Sequence, residues 1–147
     1  MTQQELFLER LNQSFSTYRC YKENNSNTLL REKEGFDFDL DATFAEWAKS
    51  NNVDYLIVDV ATATRDDIDA IVAHWDHPTA YLFKNYGDES AGNYRNKISI
   101  FIKDRYLGIR CSGDPEPQVV LCFVTELKDK PINDFWERQV FYAQVDF

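Results

Sequence analysis

The sequence predicts a single α+β domain over residues 1–147, built on a mixed sheet of five to six strands with helices mainly on one face. Three observations lead there. A strand, a helix and a second strand follow one another with short connections over residues 55–84, the pattern of a parallel crossover. Strand-like segments separated by brief polar turns come after it and predict an antiparallel meander. The chain is long enough to bury one core, and its five glycines and four prolines leave little room for linkers.

The elements are justified in order. Thr2 and Glu5 form a capping box, and Phe7, Leu8, Leu11 and Phe15 recur at helical spacing, so the chain opens on a helix. Lys22–Thr28 is polar and turn-rich, which predicts a loop. Phe36, Phe38 and Leu40 alternate with Asp37, Asp39 and Asp41, as in a short half-buried strand whose acids face water. Thr43 and Glu46 form a second capping box, opening a helix that buries Phe44, Trp47 and Ala48 and stops at Ser50-Asn51-Asn52.

Tyr55–Ala61 is a nearly continuous apolar strand of the kind covered on both faces. Thr64 with Asp67 caps the next helix, whose Ile68, Ile71, Val72 and Trp75 share one face. Asp66, Asp67 and Asp69 lie in its first turns, where the helix dipole favours negative charge. Pro78 ends it, and Thr79–Lys84 is the following strand. Tyr86–Asn96 predicts a loop, and Ile98–Lys103, Tyr106–Cys111 and Gln118–Leu127 predict the meander. At the C-terminus Phe141, Ala143, Val145 and Phe147 alternate like a strand, while Trp136 and Val140 also fit a helical turn; a turn at Asn133–Glu137 leading into a last strand reconciles the two.

The three cysteines are odd in number and lack CxxC spacing, which predicts reduced thiols in a cytosol-like compartment. No charged start followed by an apolar run opens the chain, and the longest apolar run, Val119–Val124, is far short of a membrane span. A soluble, cytoplasmic protein with no membrane contact is the expectation.

Charge is distributed unevenly. The formal net charge is −9, and residues 32–95 alone hold fourteen acids against five bases, while the flanks cancel. A one-signed field attracts basic surfaces and repels phosphate. Nucleic acid is therefore disfavoured as a partner, and Arg95, Lys97, Lys103, Arg105 and Arg110 are too spread out to reverse that.

Few motifs carry chemistry. Phe38–Phe44, FDLDATF, resembles motif I of the haloacid-dehalogenase-like phosphatases, with its two aspartates two residues apart at a strand end. The resemblance implies Asp39 as nucleophile, Asp41 as acid/base and Mg²⁺ between them and a phosphate. It covers seven residues, Ala42 replaces the usual Gly, and no long apolar strand precedes it. The downstream candidates, Lys84 and Asp88-Glu89, lie four residues apart. A calcium loop starting at Asp37 would need Gly and Glu where Ala42 and Ala48 stand. His74 and His77, the only histidines, sit at a helix end and lack a third ligand at a recognised spacing. No nucleophile elbow, Walker A or dinucleotide fingerprint is present, so no cofactor and no metal are expected.

These observations lead to a non-catalytic acidic protein that neutralises or regulates a basic protein partner, in the manner of immunity proteins and nuclease inhibitors that bind toxins or nucleases. The expected contact residues are Asp66, Asp67 and Asp69 on the helix, and Tyr86, Asp88, Glu89 and Tyr94 on the loop, where tyrosines anchor interfaces at low entropy cost. The alternatives are a small Mg²⁺-dependent phosphatase-like enzyme using Asp39 and Asp41, and a homodimer or other homo-oligomer that pairs through its aromatic C-terminal segment.

Overall fold

The computed structural model describes residues 1–20, 26–74, 79–86, 94–102, 120–129, 132 and 143–147. Its elements are α1 (Gln3–Cys20), β1 (Ser26–Glu32), α2 (Leu40–Ser50), β2 (Asp54–Asp59), α3 (Arg65–Ala73), β3 (Thr79–Lys84), β4 (Val120–Leu127) and β5 (Ala143–Asp146). Residues 95–102 are also helical.

The five strands form one sheet in the order β2-β3-β4-β1-β5, and every neighbouring pair is parallel. The fold is therefore an α/β fold of the Rossmann or P-loop type, not the α+β fold with a mixed sheet and antiparallel meander that the sequence predicts. The crossover over β2, α3 and β3 is present as expected, and Thr64 and Asp67 form the expected capping box. Thr2 and Glu5 likewise cap α1, each backbone N–H donating to the other's side chain.

Three local corrections produce the change of class. Ser26–Glu32 is an interior strand, paired on both sides, although part of it reads as loop. Residues 98–102 are helical because Ile98, Phe101 and Ile102 are buried at i, i+3 and i+4 while Ile100 is 56% exposed. Phe36–Asp39 is a connection rather than a strand; Asp39, not Thr43, caps α2, and Thr43 is buried inside the helix. Tyr106–Cys111 and Asn133–Glu137 lie outside the described residues.

Helices cover both faces of the sheet, which corrects the expected one-sided arrangement. Alternation along the strands sends Leu30, Ala80, Leu82 and Phe123 toward α1 and α2, where they meet Phe7, Leu11, Phe44 and Trp47. The opposite parity sends Leu29, Val58, Tyr81, Phe83 and Val124 toward α3 and residues 98–102. Trp47 Nε1 donates to Asn12 Oδ1 at 2.9 Å and ties α2 to α1. Among the described residues no helix is long and apolar enough to cross a membrane.

The last two residues of β1 are charged and point to opposite faces. Arg31 faces α3's side and lies between Glu126 of β4, at 3.2 Å, and Asp146 of β5, at 3.6 Å. Glu32 has the opposite parity and faces the α2 side.

Candidate functional site

In open parallel sheets ligands bind beyond the carboxyl ends of the strands, where neighbouring strands send their connections in opposite directions. That point lies here between β1 and β4. The chain leaves β1 toward β2 at one edge and leaves β4 toward β5 at the other. An open cleft of about 350 Å³ sits there, formed by Glu32 of β1, Thr125 of β4, Lys84 and Asn85 at the end of β3, Gly35, Phe36, Phe38 and Asp39 of the β1–α2 connection, and Leu40 and Asp41 of α2.

Each wall has a local cause. Gly35 turns the chain away from β1 with φ +86°, a conformation costly for other residues, although a Cβ there would meet nothing within 4 Å. The connection is then held against α1 and the C-terminus. The backbone N–H of Asp37 donates to Gln3 Oε1 at 2.9 Å, and the ring of Phe36 packs 5.1 Å from Phe147 and 5.6 Å from Phe38. Phe38 in turn lies 5.7 Å from Phe7. Asn85 takes the left-handed conformation, φ 58°, that asparagine tolerates better than most residues. Its backbone N–H donates to Thr125 Oγ1 at 2.9 Å and its amide to Asp59 Oδ1 at 3.1 Å.

The charges of the cleft are mostly negative. Asp39 Oδ1 accepts the N–H of Ala42 at 3.0 Å and caps α2. Asp41, in the first turn, lies 2.9 Å from Lys84 Nζ, a half-exposed pair of modest worth. Glu32 is only 9% exposed and has no side-chain partner among the described residues. Burial pushes its carboxyl above the ordinary value of 4.5.

Both carboxylates can be tested through stability. Asp39→Ala removes the cap and is expected to cost about 1 kcal/mol, measured by urea denaturation. Glu32→Gln is expected to raise the melting temperature at neutral pH and leave it unchanged near pH 4. The folded carboxyl holds its proton more tightly than the unfolded one, so its stabilising contribution is complete below the unfolded value and is lost as pH rises through the raised folded value. Melting curves at the two pH values check both halves.

A strand, a loop and a helix in this position form the anion cradle of P-loop proteins, through free helix N–H groups and a Gly-Lys-Ser/Thr sequence. Here the loop runs Gly35-Phe36-Asp37-Phe38-Asp39 into Leu40-Asp41-Ala42. A carboxylate of the chain itself, that of Asp39, already accepts the N–H of Ala42, and Asp41 adds a second negative charge to the lining.

The residues expected at an interface are placed unequally. Asp66 and Asp69 are exposed on α3, at the same carboxyl edge as the cleft but on the other face of the sheet. Asp67 is engaged in the cap, accepting the N–H of Thr64 at 2.8 Å. Tyr86 is 2% exposed, with the Arg95 guanidinium 4.6 Å from its ring centroid, so it belongs to the core and offers no ring to a partner. Tyr94 is half-buried beside Lys97. Asp88 and Glu89 lie outside the described residues. Asp39, Asp41 and Lys84 do share one cleft, though Asp39 stands at the helix start rather than the strand end. His74 Nδ1 lies 2.7 Å from Ala70 O, the helix-end role its position suggests. Sequence reasoning missed Glu32, Asn85 and Thr125; the one signal for Glu32 was its place beside an apolar pair, Leu29-Leu30.

No protein-family model matches this chain, and no curated protein matches it in sequence. Two solved structures of RuvB from Thermotoga maritima are similar in three dimensions. One, a variant, has a TM-score of 0.57 and 10% identity over 92% of this chain and 43% of its own. The other, described as a Holliday junction branch migration motor, has a TM-score of 0.56 and 11% identity over 95% and 44%. The likeness is one of fold. This chain spans less than half the length of those RuvB chains.

Proposed function

We propose that this chain is a non-catalytic, acidic binding module that engages a basic protein partner, neutralising or regulating it in a cytosol-like compartment. The observation that carries this reading is the chemistry of the switch-point cleft. Where this fold class offers free N–H groups to phosphate, Asp39 caps the helix and Asp41 adds negative charge. The parallel topology supports it further. Asp59 ends β2 and Asp66 and Asp67 come after it, much as Asp37, Asp39 and Asp41 come after β1, so acids separated along the chain gather at one edge of the sheet. The RuvB likeness supplies the scaffold for the reading and none of its function.

Capture from a lysate of the native host, with wild type and a variant carrying Asp37, Asp66 and Asp69 reversed to Lys, tests the proposal. The expected result is a basic protein that binds the wild type, elutes with salt and is lost from the variant. Equal capture by both overturns the reading.

A phosphatase reading retains one observation in its favour, the placement of Asp39, Asp41 and Lys84 in one cleft. The residues fit Mg²⁺ poorly, because no three acidic, histidine or cysteine side chains converge among the described residues. Mg²⁺-dependent turnover of p-nitrophenyl phosphate that disappears in Asp39→Asn would establish it, and absence of turnover removes it.

A further inference from the structure

We propose that the switch-point cleft receives a single basic side chain, lysine or arginine, from the partner, with Glu32 as its counter-ion. The inference rests on the binding-module reading and assigns that reading a specific pocket.

The decisive observation is Glu32. Its side chain lines the cleft, is 9% exposed, and has no partner among the described residues. Burial disfavours its charged form, and a cation placed in the cleft would favour it. On the opposite face of the same strand, Arg31 has acidic neighbours within the chain, Glu126 at 3.2 Å and Asp146 at 3.6 Å. The unpaired member is the one that opens onto a cavity. A carboxyl pushed up by burial at a cleft is a candidate functional group.

The remaining walls select the kind of cation. Asp39, which caps α2, and Asp41 in its first turn outnumber Lys84 from β3, so with Glu32 ionised the lining is net negative. Lys84 is itself engaged by Asp41. Phe36 and Phe38 also line the cleft and suit the aliphatic stem of lysine or the flat face of a guanidinium. The carbonyl and hydroxyl of Asn85 and Thr125 stand nearby as further acceptors for its N–H groups. A bare metal ion lacks the converging ligand set here.

The test is titration of the isotopically labelled protein with hexalysine, followed by amide chemical shifts, in low salt. Wild type is expected to show saturable shifts at Glu32, Phe38, Asn85 and Thr125. Glu32→Gln, isosteric and neutral, is expected to weaken hexalysine binding by about tenfold, the loss of one charge-assisted hydrogen bond. In wild type, binding also strengthens as rising pH ionises Glu32, a dependence that Glu32→Gln flattens. Equal affinity of the two proteins, with shifts confined to α3, overturns the cleft assignment and leaves the acidic-module reading intact. No binding by wild type overturns both. Saturable cleft shifts with Mg-ATP in place of hexalysine also overturn it, because the cleft then takes anions.

Discussion

Phe44→Ala is expected to lower the unfolding free energy by about 3–5 kcal/mol. Phe44 is fully buried on α2, with ring centroids 5.9 Å from Phe123, 6.1 Å from Trp47 and 6.3 Å from Tyr55. Removing it opens a cavity where α2 meets β2 and β4. The loss is large beside the roughly 5–15 kcal/mol that domains of this size possess. Val72→Ala, at a 64% exposed position on α3, is the control and should change stability by less than about 0.5 kcal/mol. Urea denaturation of both variants checks the contrast; similar midpoints would contradict the packing described for α2.

The second large effect is expected at Glu126. It is 1% exposed; Oε1 lies 3.2 Å from Arg31 Nε, and Oε2 accepts the N–H of Ile132 at 2.6 Å. Glu126→Ala is expected to cost about 3–5 kcal/mol, because it strips an acceptor from a buried N–H and leaves the guanidinium with only the more exposed Asp146 as its ion-pair partner among the described residues. Adding Arg31→Met should recover part of that cost, since replacing both members of a buried pair is far less damaging than removing one. A double-mutant cycle by urea denaturation measures the recovery. A Glu126→Ala loss below about 1 kcal/mol would show that the pair contributes little.

Phe44 and Glu126 differ in how far the sequence announces them. The apolar face of α2 and the crossover from β2 to β3 were legible because their periodicity is local and unambiguous. β1 was not. Ser26–Glu32 contains only Leu29 and Leu30 as apolar residues, yet it is an interior strand, paired with β4 on one side and β5 on the other, with Glu126 and Asp146 flanking its Arg31. Residues 98–102 fit both periods, and burial against the sheet decides for the helix. Once β1 is missed and those residues are extended, the sheet becomes mixed and the α/β class is lost. The acids of the site were visible as a charge excess along the chain. Their convergence with Lys84, Asn85 and Thr125 required the strand order, which no local pattern contains.

The position of β1 also has a consequence for folding. It is made early in the chain, yet its two neighbours are residues 120–127 and 143–146. Until those segments arrive, the crossover from β2 to β3 can assemble from nearby residues, while β1 has no sheet to enter. Non-local parallel pairing of this kind is slow, because loop closure precedes its reward. During synthesis β1 and its apolar pair would wait unpaired until residues 120–146 have emerged, a natural point for chaperone engagement.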